Sequence, residues 1–223
     1  MYNVYLNSSN KDCSFEAFYN KLFDICQEHR EQDRALVFAF ILYDFKDAHL
    51  SKVLKDVDYW RSLDSISGNY ITVFSLHYEH NSRQKKRPSK NERIMNRMVG
   101  IKTMDLLTAN DELLDKYFGD IDIRFPAILF FQIKNDSIID YSLVQLTANN
   151  IEGSFNEVKK YIEEVVETLK NITEKQNSEE IFALVKMKLE QVKAISQFIS
   201  VYSTADKAKG PLAFFLRLIS KYV

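Results

Sequence analysis

Side chains able to do chemistry fall at a few places in this chain of 223 residues. The first is Asp44-Phe45-Lys46-Asp47, which ends an apolar run and opens a stretch of helical periodicity. Carboxylates at a helix start cap N–H groups, and the helix dipole stabilises them by about 0.3–1 kcal/mol. The same field keeps them ionised, so neither acid suits general-acid work near neutral pH. His49, one turn further on, could join them as an Asp-His pair, but a lone imidazole there reads as a surface residue. A second group is His77, Glu79 and His80. Strand alternation points His77 and Glu79 one way and leaves His80 on a loop, and no further ligand cluster follows, so no metal is expected. No cofactor motif is evident either. Cys13 and Cys26 are the only sulfur nucleophiles; Cys26 falls on an apolar helical stripe, where a thiol behaves as a small hydrophobe.

The third place is a basic block. Arg83, Lys85, Lys86, Arg87, Lys90, Arg93 and Arg97 are opposed only by Glu92. Such a run is ordinarily a solvated loop, and its functional reading is contact with phosphates, of nucleic acid or nucleotide, or with an acidic partner. It contains no aromatic residue for base stacking, which argues against sequence-specific reading of single strands.

The whole-chain balance selects no partner. The 30 basic and 31 acidic residues nearly cancel, so overall charge favours neither nucleic acid nor a membrane surface. Hydrophobic content of 46% supports a substantial core. The first residues lack a basic region and an apolar run, so no export signal is expected, and no stretch approaches the ~18 apolar residues of a membrane span. With two cysteines, this predicts a reducing cytoplasm without a structural disulfide. Abundant Lys, Asn and Ile suggests an AT-rich bacterial coding sequence.

These groups need elements to hold them. Residues 1–6 alternate like a short strand. Ser14 caps a helix whose stripe is Phe15, Phe18, Tyr19, Leu22, Phe23 and Cys26. Residues 34–43 form an apolar run fit for a central strand covered on both faces. A helix then runs from the Asp44/Asp47 corner past Leu50, Val53, Leu54, Val57 and Trp60 to Gly68. A strand at 69–78, a helix at 103–119, two strands joined at Lys134-Asn135-Asp136, and a helix at 154–172 follow. Beyond it, 178–203 reads as a long helix with a seam of Ile181, Val185, Val192, Ile195, Ile199 and Tyr202, interrupted by Lys188. Alternation of this kind gives an α/β fold with a mixed sheet.

The order resembles the thioredoxin fold. Two stretches carry the resemblance: "DRALVFAFILYDFKDAHLSKVL" is similar to the central strand and the helix that begins at the redox motif. "YFGDIDIRFPAILFFQIKNDSIIDY" is similar to the segment entering the family's cis-proline and its last two strands. The resemblance implies a thioredoxin-like mixed sheet of about five strands flanked by helices over residues 1–172. It implies a basic insertion at about 79–102, with 173–223 a C-terminal helical extension. It also implies a cis bond before Pro126 and a ligand or peptide corner of Asp44, Phe45, Lys46, Asp47, Phe125 and Pro126. The family's reactive pair falls on or near Asp44 and Asp47, and carboxylates cannot form or resolve a mixed disulfide. Dithiol oxidoreductase activity, and any catalytic residue, are therefore not expected.

The segment 210–223 is strongly apolar, and Leu212, Phe214, Phe215, Leu218 and Ile219 offer an association surface. It has three possible homes: its own domain, a dimer or partner interface, or a membrane surface, the last disfavoured by few cations. The leading reading is a non-catalytic, thioredoxin-like binding or adaptor protein that associates with a protein partner or with itself. The alternative is phosphate or nucleic-acid binding through 83–97. A glutathione-transferase-like enzyme would need a longer helical part than 173–223 supplies. Under the nucleic-acid reading, binding to mixed RNA and DNA falls steeply with salt and is lost when Lys85, Lys86 and Arg87 become Glu. Absence of binding at low salt removes that reading.

Overall fold

The protein is described from a computed structural model covering residues 1–4, 14–44, 48–78, 109–119, 121, 123–135, 137–172 and 178–205. Its elements in chain order are β1 (Tyr2–Val4), α1 (Phe15–Glu31), β2 (Val37–Asp44), α2 (Ala48–Lys55), α3 (Val57–Ser67) and β3 (Thr72–Tyr78). They continue with α4 (Ala109–Phe118), β4 (Ala127–Lys134), β5 (Ser137–Gln145), α5 (Ile151–Lys170) and α6 (Ser178–Ala205).

The strands form one mixed sheet in the order β1-β3-β2-β4-β5. β1, β3 and β2 run parallel, while β4 is antiparallel to both β2 and β5. This is the mixed α/β class expected from the alternation of elements. The order follows from β2, in which every residue from Val37 to Tyr43 is buried. An unbroken apolar strand needs a partner on each side and a helical layer on each face. Its pleat sends Val37, Ala39, Ile41 and Tyr43 to one layer, with α2, α3, α5 and α6, and Phe38, Phe40 and Leu42 to the other, with α1 and α4.

The second layer is aromatic. Phe40 stacks on Phe131 at 4.9 Å, Phe118 meets Phe131 edge-on at 5.4 Å, and Phe18 meets Phe74 edge-on at 5.7 Å. Such offset and edge geometries add to the burial of the rings.

Capping sets most boundaries. Ser14 accepts from the Ala17 N–H at 3.1 Å, as expected. The single helix expected up to Gly68 is two helices, because Asp56 accepts from the N–H groups of Asp58 and Tyr59 and starts α3 anew. α5 begins at Ile151 rather than 154 because Asn150 is its cap. The stripe of α1 is also rotated from expectation: Phe18, Leu22, Ile25, Cys26 and His29 are buried, whereas Tyr19 and Phe23 are about two-fifths exposed. At the β4–β5 turn Asn135 takes φ 49°, a left-handed conformation that Asn tolerates. The Phe125–Pro126 peptide is cis, as the resemblance implies.

α6 lies against its own domain along Phe182, Val185, Leu189 and Val192, all buried. The expected seam shares Val185 and Val192 with this line, but Ile195 is exposed, and Phe182 and Leu189 fill the places between. Lys188, the break in that seam, pairs instead with Glu164 of α5 at 2.9 Å. The side chains of Ile199 and Tyr202 lie outside the described residues. No helix among the described residues is long and apolar enough to cross a membrane. Leu189→Ala is expected to cost about 2–5 kcal/mol in urea unfolding, the range for a buried large-to-small change. A cost typical of a surface residue would show that α6 is not part of the core.

Candidate functional site

The corner singled out by sequence is built where β2, β3 and β4 meet. Leu42 lies opposite Ala127 in the antiparallel β2–β4 register, and Asp44 lies beside Tyr78 in the parallel β2–β3 register. The β2–β4 register ends at Leu42 and Ala127, and Phe125 and Pro126 lie directly before β4 in the chain. Both are half-buried, and neighbouring Arg124 is exposed. The Pro126 carbonyl accepts from the Leu146 N–H at 3.0 Å and from the Gln145 amide, so its oxygen is committed toward β5. Asp44 ends β2, and Phe125 and Pro126 precede β4, at the same end of the sheet. Phe45, Lys46, Asp47 and the side chain of Asp44 lie outside the described residues. His49 sits on the exposed side of α2.

Other sequence candidates also fall outside the described residues: Cys13, Glu79, His80, the side chain of His77, the whole basic block 83–97, and Leu212, Phe214, Phe215, Leu218 and Ile219. Among the described residues no group of three His, Cys, Asp or Glu side chains could hold a metal ion.

Cys26 is buried beneath a narrow cleft lined by Tyr19, Leu22, Phe23, Tyr117, Ile133 and Ile138. Its interior volume of 20 Å³ is room for about one water molecule, far below that of a ligand pocket. The Tyr19 and Tyr117 rings stack in parallel, with centroids 6.4 Å apart. Burial, and secondarily Tyr19, pushes the Tyr117 hydroxyl up to about 12, so it stays protonated at ordinary pH.

A buried histidine escaped sequence reasoning. His29, on the last turn of α1, is fully buried against Phe38, the ring centroids 5.0 Å apart. Its Nδ1 lies 2.8 Å from the Ala35 carbonyl and its Nε2 2.8 Å from the Thr72 hydroxyl. A carbonyl only accepts, so Nδ1 carries the hydrogen; in the neutral ring Nε2 then accepts from Thr72. His29 follows Cys26 by three residues and Leu22 by seven, which is the signal that would have found it.

Compared with models of known families, with curated proteins and with solved structures, the chain matches none.

Burial is the main cause that lowers the His29 pKa from its ordinary 6.5; Arg34 lowers it further, while the bond to Ala35 and the charge of Glu28 oppose the shift. The unfolded chain therefore binds this proton more readily than the native one. The contribution is complete above the unfolded value of about 6.5 and is lost as pH falls below it toward the native value. His29→Gln is expected to lower stability at about pH 7.5 by about 1–3 kcal/mol, the cost of disturbing two buried bonds. It should also flatten the loss of stability between about pH 7.5 and 5.5 seen in urea midpoints. Parallel pH profiles for the two proteins would refute the titration.

Proposed function

We propose that this chain is a thioredoxin-like scaffold that binds rather than catalyses: a bacterial, cytoplasmic adaptor that associates with a protein partner or a second copy through its C-terminal segment. The observation that carries the reading is the pairing of Leu42 with Ala127, which puts the end of β2 at the same end of the sheet as the cis Pro126, in a chain that continues there as Asp44-Phe45-Lys46-Asp47. A corner of this kind with sulfurs would exchange disulfides; with carboxylates it can offer only charge and hydrogen bonds. The strand order and the cis bond at the start of β4 support the same likeness. Burial of Cys26 argues against thiol exchange at that residue, since exchange requires an accessible thiolate.

Two measurements test this. Reduced protein should exchange with a small disulfide no faster than an ordinary thiol, and any activity should vanish in the Cys13→Ser/Cys26→Ser protein. Turnover that survives both substitutions would make the chain an enzyme and end the adaptor reading. In sedimentation, the full chain should run above monomer mass alone or with a partner, and Phe214→Lys/Phe215→Lys should return it to monomer. Identical monomers across the series, with no partner bound by the full chain, would remove the associating segment.

A further inference from the structure

β5 is the last strand of the sheet, and among the described residues nothing pairs with its outer side. It is nine residues long, without proline, lysine or arginine, and Ile139 and Tyr141 on it are 40% and 37% exposed. Strands of this composition at an edge are templates for another chain, and proteins generally blunt them.

Which amides face outward follows from the ladder. Leu146 N–H donates inward to Pro126, and Val144, Ser142 and Asp140 lie opposite Ile128, Phe130 and Gln132. Antiparallel alternation then turns the backbone groups of Tyr141, Leu143 and Gln145 to the open side. The Tyr141 N–H is already taken: it donates to Oδ1 of Asp140 at 2.8 Å. That carboxylate is held in turn by Lys186 of α6, whose Nζ donates to Oδ1 at 3.0 Å and to Oδ2 at 2.9 Å.

We propose that Asp140, steadied by Lys186, caps the sheet edge and withholds it from a second copy of this chain. The occupant follows from self-complementarity. A second β5 laid antiparallel about Leu143 sets Leu143 opposite Leu143, Tyr141 opposite Gln145 and Ser142 opposite Val144, and brings no like charges together. Each copy needs its Tyr141 N–H for this pairing, so the cap and the second copy compete for one donor, twice per dimer. The register shift opposite Gln132/Ile133 leaves Ile139 of β5 as an extra residue, so the irregular part of the edge comes before Tyr141, and the regular stretch 140–145 is the one the cap protects.

Sedimentation equilibrium on the full chain tests this against wild type at matched concentrations. Asp140→Ala should tighten self-association by about tenfold or more, since two competing charge-assisted bonds disappear. Asp140→Asn keeps a neutral acceptor for Tyr141 without the ion pair and should associate less strongly than Asp140→Ala. Asp140→Ala/Leu143→Lys, which sets two lysines face to face, should return to the wild-type mass. The proposal fails if Asp140→Ala matches wild type, if Asp140→Asn associates as strongly as Asp140→Ala, or if the double variant stays associated. Hydrogen exchange reads the cap without any substitution: the Tyr141 amide of wild type should exchange more slowly than the Leu143 amide, and equal rates would overturn it.

Discussion

Burial of β2 on both faces is the constraint from which the rest of the molecule follows. Seven consecutive apolar residues, Val37 to Tyr43, are removed from water at once. A strand achieves this only inside a sheet with helices above and below, and its backbone groups must be paired on both sides because no water reaches them. β3 supplies the parallel side, which requires a crossover, and α2 and α3 are that crossover. β4 supplies the antiparallel side and then turns back as β5. The corner at the end of β2 is therefore where a parallel neighbour, an antiparallel neighbour and a crossover all begin or end.

Much of this was legible in the sequence because it rests on local signals. The apolar run of β2, the Ser14 cap, the positive-φ Gly68 and Gly119 at helix ends, and the β4–β5 turn all act within a few residues. The failures occurred where a local pattern admitted two answers. On α1, apolarity favoured Tyr19 and Phe23, but the core took Ile25 and His29, one line over. Aromatic residues with a hydrophobic body tolerate partial exposure, whereas His29 earns its buried place through two bonds that no periodicity displays. On α6, charge suggested that Lys188 interrupts a seam; the helix instead turns it toward Glu164 and packs the line beside it.

The candidate corner was read from motif order, since Asp44 ends one recognisable strand and Pro126 directly precedes another. Asp140 was not. Its partner Lys186 is 46 residues away, and its other bond is to the next residue's own backbone. Neither fact is written in composition or spacing, because both depend on α6 being folded against the sheet. That docking also changes the meaning of the C-terminal extension. Through Val192 it is part of the core, so an association surface on this chain has to lie past that point or on faces the core leaves uncovered.

Chemistry in this fold is limited less by which residues are present than by what they already hold. Cys26 and His29 stand three apart on one helix, a spacing that brings side chains together and that could suggest a nucleophile and its base. A base must offer a lone pair. In the neutral ring of His29 one nitrogen carries hydrogen toward Ala35, and the lone pair of the other receives the Thr72 hydroxyl. To accept a proton from a thiol, His29 would have to turn Thr72 from donor to acceptor and bury a charge beside Phe38, which desolvation opposes. The imidazole instead ties the end of α1 to β3 and to the start of β2, holding the aromatic layer closed over the strand that organises the sheet.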